Sequence, residues 1–279
     1  MIVMGIVNVT PDSFSDGGRF FDADRAVQHG LRLRADGAGI LDVGGESTRP
    51  GAARVGLVEE QRRVLPVISA LAASGAVVSI DTMHAETAVA AVAAGARIVN
   101  DVSGGLADPD MLAAVAASGA EYAVGHWRGH SADMYARAEY ADPAAEVAHE
   151  LAERMRAAQD AGIPLERLIV DPGIGFGKRG DQNWAVLRGL DRLGPLGARV
   201  LIGTSRKRFL AETLEPGDDP VARPVDQARR DLATAVTSVL AARAGAWGVR
   251  VHDVAATRDA LRISAAWDDR IGAIPQEAQ

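Results

Sequence analysis

The chain has 279 residues, of which 48% are apolar and 24% charged, as expected of a globular protein with a large buried core. Its net charge of −7 argues against the nucleic-acid binders, which usually carry a basic face. The chain has no cysteine, which excludes disulfides, zinc–thiolate sites and cysteine nucleophiles. We expect a cytoplasmic protein that does not bind a membrane, because neither a signal peptide nor a membrane-spanning apolar run is recognisable.

Eight short apolar runs are each followed by polar or glycine-rich residues and then by a helical pattern. The predicted strands are 2–7, 40–43, 77–80, 97–99, 122–124, 168–170, 200–202 and 247–249. The predicted helices cover about 22–36, 57–73, 84–94, 109–118, 143–161, 181–192, 226–244 and 254–267, with a short one between the segment 200–209 and a Pro/Asp-rich loop at 215–224. Asp22 is the predicted N-cap of the first helix.

These units predict a single (β/α)8 TIM barrel over residues 1–279, with a short frayed tail after about residue 271. The first and second βα loops, 10–20 and 46–55, are long, polar and rich in glycine, and we expect them to close over a substrate. The alternative is a doubly wound open sheet, which collects its functional residues at one switch point. Polar residues follow all the strands here, as they do at the mouth of a barrel.

The two lysines of the chain, Lys178 and Lys207, contrast with its 28 arginines. Both lysines follow strand-like runs within glycine-rich segments. A lysine carries a compact charge on a flexible stem, whereas arginine is a planar fork. Either chance left lysine at these two positions or a site at the strand ends needs the compact ammonium group. We favour the site, with Lys207 as its member, and the role of Lys178 stays open.

Seven segments resemble, in order, those of the dihydropteroate synthases. They are NVTPDSFSDGG (8–18), DVGGESTRPG (42–51), SIDT (79–82), NDVSGG (100–105), DPGIGFGK (171–178), GTSRK (203–207) and RVHDV (250–254). The resemblance spans about residues 2–267 and implies a (β/α)8 fold. It also implies condensation of 6-hydroxymethyl-7,8-dihydropterin diphosphate with p-aminobenzoate, with Mg²⁺ as cofactor, sulfonamides as inhibitors and a homodimer formed through outer helices.

A departing pyrophosphate needs cations and a metal ion at its oxygens. Arg250 and His252 lie two residues apart at the end of the last strand, so both point to the same side. By resemblance they bind the diphosphate together with Asn8, while Asn8 and Asp16 hold Mg²⁺. The alternative for Arg250 and His252 is a pair in the barrel interior that is bonded to the backbone.

A pterin needs a carboxylate that faces its amino-pyrimidine edge, and Asp171 follows a predicted strand. By resemblance Asp81, Asn100, Asp171 and Lys207 contact the pterin. If the bond to the pyrophosphate breaks first, Asp81 is also expected to stabilise positive charge on the ring. The predicted catalytic residues are Lys207, Asp81, Arg250 and His252. A helix N-cap is the alternative role for Asp171, Asn100 and Asp81.

The p-aminobenzoate needs a grip on its carboxylate and a slot for its ring. By resemblance Ser205 holds the carboxylate. The remaining residues that the resemblance assigns to this ligand are Thr48, Arg49, Pro50, Phe14 and Phe176. Packing in the core is the alternative role for the two phenylalanines, and Arg206 is either a site residue or a solvated cation.

Two other functions remain open at this stage. One is a methyltetrahydrofolate methyltransferase, which has no use for a diphosphate clamp at Arg250 and His252. The other is a catalytically silent paralogue, which should have lost motif residues, whereas every segment is intact. One segment departs from the family pattern after the fifth strand, where residues 125–128 read GHWR, and a local change in packing is the interpretation that we favour.

Overall fold

The protein is described by a computed structural model that covers residues 1–10, 19–46, 55–129, 138–215 and 224–268, with the side chains of 19–22 also outside the description. Eight parallel strands pair in sequence order, and the eighth pairs with the first, so the sheet closes into a barrel. The closed sheet confirms the predicted (β/α)8 barrel and excludes the doubly wound alternative.

The strands match the predicted apolar runs but most extend one or two residues further at their C-terminal ends. They are β1 (Ile2–Asn8), β2 (Ile40–Gly44), β3 (Val78–Asp81), β4 (Ile98–Asp101), β5 (Glu121–Gly125), β6 (Leu168–Asp171), β7 (Arg199–Ile202) and β8 (Gly248–Val251). Asn8, Asp81, Asn100, Asp171 and Arg250 therefore lie within strands rather than after them. Their backbones are fixed by the sheet, which holds their side chains more rigidly than a loop would.

The helices surround the barrel in the described ranges. They are α1 (Arg19–Ala35), α2 (Leu57–Ala73), α3 (Ala85–Ala93), α4 (Met111–Ser118), α5 (Pro143–Asp160), α6 (Gly180–Arg188), α7 (Arg208–Leu214), α8 (Gln227–Arg243) and α9 (Val254–Trp267). The prediction of Asp22 as an N-cap is wrong, because α1 begins three residues earlier, at Arg19. None of the helices in these ranges is both long and apolar enough to span a bilayer.

The core has two parts because strand side chains alternate between the two faces of the sheet. One set of buried side chains packs between the strands and the helices, with Val43, Ile80 and Val124 among its members. A second set fills the barrel interior and consists of Met4, Ile40, Ile98, Ala123, Ile169 and Leu201. The interior set sits below the C-terminal ends of the strands, so it forms the floor of the barrel mouth.

Candidate active site

Polar side chains follow the interior core residues at intervals of two along several strands. Ile40 precedes Asp42, Ile98 precedes Asn100 and Ile169 precedes Asp171 in this way. Because period two returns to the same face of a strand, these polar groups lie directly above the apolar floor. The barrel thereby collects one polar group from each of several strands into a single mouth.

Arg250 connects its own strand, β8, with β2 and β3. Its Nε donates to Asp42 Oδ2 at 2.5 Å, and its Nη2 donates to Asp81 Oδ2 at 2.6 Å. Asn100 Nδ2 donates to the same Asp42 oxygen at 3.0 Å. Asp42 is fully buried, so its charge is stabilised by the guanidinium and the amide rather than by water.

Lys207 and Asp171 form the second charged group of the mouth. Both lie beside Gly203, where a Cβ atom would be 3.7 Å from Asp171 Oδ2 and 3.9 Å from Lys207 Nζ. Lys207 Nζ donates to the carbonyl oxygen of Ile174 and lies 4.4 Å from the centre of the Phe176 ring. Sequence reasoning placed Asp171, Lys207 and Phe176 in one site, and the structure brings them together.

The segment 172–179, here called the β6 loop, is the source of those contacts with Lys207. Gly173 has a φ of +63°, and a Cβ there would lie 2.2 Å from the carbonyl oxygen of His126. Only glycine fits such a position, because other residues meet both the backbone strain and the clash. The Gly173 amide also donates to Asp171 Oδ1 at 2.8 Å, so Asp171 is bound by its own loop and is not a helix N-cap.

Burial shifts the ionisation of these groups, and their partners oppose the shift. Burial raises the pKa of Asp81 to about 7 against the effect of Arg250, and it raises the pKa of Asp171 against that of Lys207. Burial lowers the pKa of Lys207 to about 8, and the Asp171 carboxylate opposes this. For Arg250 burial acts downward, but Asp42 and Asp81 outweigh it and raise the pKa, so the guanidinium stays charged.

Ser205 and His252 are bonded to each other. Ser205 Oγ lies 2.8 Å from His252 Nδ1 and accepts from the His252 amide at 3.0 Å. The residue predicted to hold p-aminobenzoate therefore touches a residue predicted to hold the diphosphate. Arg206 has a φ of +57°, and its guanidinium pairs with the Asp231 carboxylate of α8 at 2.6 Å rather than with a carboxylate of the mouth.

A buried network that sequence reasoning did not assign lies behind the β6 loop. Lys178 is 1% exposed, and its Nζ lies 2.9 Å from His126 Nδ1. His126 Nε2 is 3.0 Å from Glu150 Oε2 of α5, and Arg128 Nε also donates to Glu150. His126 and Arg128 belong to the GHWR segment that departs from the family pattern. This segment therefore also supplies a partner for Lys178, namely His126.

Asp42 lies in the mouth, although the sequence analysis assigned it no role. The signal that could have found it is a carboxylate within an otherwise apolar strand, one residue before the predicted end of the run 40–43. Five predicted site residues lie outside the described residues, namely Phe14, Asp16, Thr48, Arg49 and Pro50. Asn8 ends β1, and its Cα pairs with that of Gly44 in β2, beside the strand that carries Asp42.

Comparison with known proteins matches this geometry to a family. Residues 4–252 match the model of the pterin binding enzymes. The dihydropteroate synthase of Mycobacterium leprae is 53% identical over 266 residues, which cover 95% of this chain and 93% of that protein. The chain belongs to the dihydropteroate synthase family. The apolar floor and the charged mouth are therefore those of a pterin-binding barrel.

Solved structures of relatives support the same assignment. The dihydropteroate synthase of Xanthomonas albilineans with 4-aminobenzoic acid has a TM-score of 0.86 and 46% identity, covering 98% of this chain and 94% of that one. The same enzyme with 7,8-dihydropteroate has a TM-score of 0.83 and 43% identity at equal coverage. The Yersinia pestis enzyme with a sulfonamide drug has a TM-score of 0.86 and 37% identity, covering 96% and 94%.

The buried His126 makes the stability of the protein depend on pH. Burial lowers the pKa of this imidazole from 6.5 to about 4, with a smaller contribution from the Lys178 charge. An unfolded chain takes up the proton near pH 6.5 and the native protein only near pH 4. The neutral, buried imidazole therefore contributes fully to the free energy of unfolding above pH 6.5, and this contribution is lost as the pH falls towards 4. Its size is on the order of 3 kcal/mol.

We predict that His126→Gln flattens the loss of stability between pH 6.5 and pH 4.5, because the glutamine does not titrate. The measurement is the free energy of unfolding in urea at several pH values. His149→Gln serves as the control, since His149 lies on α5 with its side chain 72% exposed, and it should keep the wild-type slope. Equal slopes for the wild type and His126→Gln contradict the assignment.

Proposed function

We propose that the protein condenses 6-hydroxymethyl-7,8-dihydropterin diphosphate with p-aminobenzoate to give 7,8-dihydropteroate and pyrophosphate. The observation that carries this proposal is the pair of charged groups in one mouth, Arg250 with Asp42 and Asp81, and Lys207 with Asp171. The first supplies a cation for a diphosphate, and the second supplies a carboxylate and an ammonium for a pterin. The relatives crystallised with 4-aminobenzoic acid and with 7,8-dihydropteroate support the second substrate and the product of this proposal.

In this proposal the pterin lies over the apolar floor, and its polar edges meet Asp171, Asn100, Asp81 and Lys207. Asn100 uses its Nδ2 on Asp42, so its amide oxygen is the atom that accepts from the ring. Asp42 Oδ1 is buried without a hydrogen-bond partner in the described part of the chain, and we propose that it accepts from a ligand N–H.

The p-aminobenzoate site is proposed at Phe176, whose ring lies 4.4 Å from Lys207 Nζ, and at Ser205. The half-buried Phe176 ring borders the slot, and the Ser205 hydroxyl meets the carboxylate. Thr48, Arg49, Pro50 and Phe14 remain predictions for this site. A sulfonamide in the same slot would compete with p-aminobenzoate, which is the proposed mode of inhibition.

The proposed chemistry begins with cleavage of the bond between the pterin methylene and the diphosphate oxygen. The electron pair leaves with the oxygen, and Arg250 and His252 stabilise the charge that develops there. The carboxylates of Asp81 and Asp171 stabilise the positive charge on the pterin. The lone pair of the arylamine then forms the C–N bond, and the amine releases a proton. A neutral arylamine is nucleophilic, so catalysis consists of charge stabilisation and positioning.

Mg²⁺ is proposed as the cofactor, with the amide oxygen of Asn8 and the carboxylate of Asp16 as its protein ligands. In the described residues no three His, Cys, Asp or Glu side chains cluster as a metal site. A hard-oxygen ligand such as Asn8 fits Mg²⁺, which typically takes one or two protein oxygens and completes its shell with phosphates and water. When bound, Mg²⁺ neutralises charge on the diphosphate.

The cytoplasmic location expected from the sequence stays a prediction.

We predict that pyrophosphate release from the pterin diphosphate depends on both p-aminobenzoate and Mg²⁺. The measurement mixes the protein with the pterin diphosphate and follows pyrophosphate and dihydropteroate, with each component omitted in turn. Release with stoichiometric dihydropteroate supports the proposal, and EDTA should abolish it because the diphosphate charge is no longer neutralised. Binding of the pterin diphosphate without product under every condition would instead favour the silent paralogue.

The homodimer is proposed to form through α8 and α9, which pack against each other. Nine large apolar side chains are exposed in the described residues, and five lie on these two helices: Leu232, Val236, Leu240, Ile263 and Trp267. The first three are spaced by four residues and form a stripe along one face of α8. A contiguous apolar surface of this kind marks a protein interface, and a second copy of the chain is the proposed occupant.

We predict that the wild type has twice the mass of the 29.1 kDa chain in light scattering after size exclusion. Val236→Glu together with Leu240→Glu should give the mass of one chain, because buried charges oppose association. Val89→Glu on α3 is the control, since Val89 is similarly exposed but lies away from the stripe. A monomeric wild type, or a dimer that survives the double substitution, rules out this interface.

A further inference from the structure

Both lysines of the chain are bound to the same loop. Lys207 donates to the carbonyl of Ile174, while Lys178 donates to the carbonyls of Gly173 and Phe176, each at 3.0 Å. Three carbonyls within four residues of the β6 loop are thus occupied by the two ammonium groups. Building on the proposed function, we infer that Lys178 is a positioning residue that holds the β6 loop, and with it Phe176, in place for p-aminobenzoate.

The hydrogen-bond donors and acceptors around Lys178 determine which groups of the network carry protons. Glu150 can only accept while ionised, so His126 Nε2 carries the proton that lies between them. His126 Nδ1 is therefore an acceptor in the neutral imidazole. Lys178 then faces three acceptors, two carbonyls and this nitrogen. Burial lowers the pKa of Lys178 to about 7, and the three N–H groups of its ammonium form match the three acceptors one to one.

The far end of the network is fixed to helix α5. Glu150 accepts from Arg128 as well as from His126, and Arg128 also donates to Glu146 at 2.8 Å. The bonds of Arg128 and His126 outweigh burial and hold the pKa of Glu150 at about 2, so it is ionised at neutral pH. The chain of contacts therefore runs from α5 through the imidazole at the end of β5 to the β6 loop.

The β6 loop transmits this constraint to the reacting groups. Its Phe176 ring lies against Lys207, and its Gly173 amide is bonded to Asp171. Asn183 of α6 fixes the same loop from the other side, because its Oδ1 accepts from the Gly175 amide at 2.6 Å. Asn183 donates to the carbonyls of Lys178 and Arg179 rather than to those of Gly173 and Phe176. Lys178 bonds both of the latter, and the Gly173 carbonyl also accepts from the Phe176 amide at 2.9 Å.

An arginine does not reproduce this geometry. The three acceptors surround one nitrogen atom, whereas the donors of a guanidinium are spread over a planar fork. The pocket is also closed, since Lys178 and His126 are each 1% exposed. We therefore expect Lys178→Arg not to restore the loop geometry, although it keeps the positive charge.

The test compares Lys178→Met and Lys178→Arg with the wild type in steady-state kinetics for each substrate. Removing the ammonium takes the donor away from the Phe176 carbonyl and from His126 Nδ1 in a closed pocket, which is typically enough for a tenfold effect. The KM for p-aminobenzoate should rise about tenfold or more in both variants, with the KM for the pterin diphosphate changed less than about threefold. Arg179→Met is the control, because Arg179 is the exposed neighbour on the same loop and loses the same charge.

Hydrogen exchange provides a readout that does not require activity. The amides of Gly173, Gly175 and Phe176 are hydrogen-bonded, and their exchange should accelerate in both Lys178 variants but not in Arg179→Met. Should the Lys178 variants not fold, His126→Gln tests the same network, since it removes one acceptor of Lys178, and it should give the same pattern more weakly.

Two results overturn the inference. One is unchanged exchange and an unchanged KM for p-aminobenzoate in the Lys178 variants. The other is an equal loss for both substrates, which indicates a general structural role. Failure of the proposed function is distinguishable, because the wild type would then give no dihydropteroate while the exchange comparison still reports on the loop.

Discussion

The charge balance inside the barrel mouth is the constraint on which the other features depend. Arg250 is held between Asp42 and Asp81, and Lys207 and Asp171 both lie beside Gly203, so the half-buried cations share one mouth with the carboxylates. A buried charge without a partner is costly, and removing one member of such a set leaves another uncompensated. The mouth therefore carries fixed charges before any substrate arrives, and this preorganisation is what a reaction that separates charge requires.

The same constraint explains the architecture around the mouth. Parallel strands place one polar group from each of several strands above a common apolar floor, and closure of the sheet brings the groups within bonding distance. The glycines of the β6 loop allow its backbone to pass close to β5 and to Lys207, where a Cβ at Gly175 would lie 2.7 Å from the lysine side chain. Carbonyl oxygens then serve as partners for both ammonium groups.

The sequence predicted the strands and the polar residues at their ends, because apolar runs and period-two spacing are local properties of the chain. It did not predict contacts that exist only after closure. The bond between Asp42 and Arg250 joins residues 208 positions apart, and Lys178 meets His126 across 52 positions. The start of α1 was misplaced because glycines precede Arg19, and the acidic Asp22 resembled a cap although it lies within the helix.

The most direct measurement is the turnover of Lys207→Ala and Lys207→Arg in the condensation, with Arg208→Ala as the exposed neighbouring control. Lys207→Ala should lower kcat by more than about tenfold, since one well-placed charged donor typically contributes at least that much. Lys207→Arg should not recover the activity, because a planar fork does not reproduce the compact donor that bonds the Ile174 carbonyl beside the Phe176 ring. Near-normal turnover by the arginine variant would contradict the need for a compact ammonium in a fixed place.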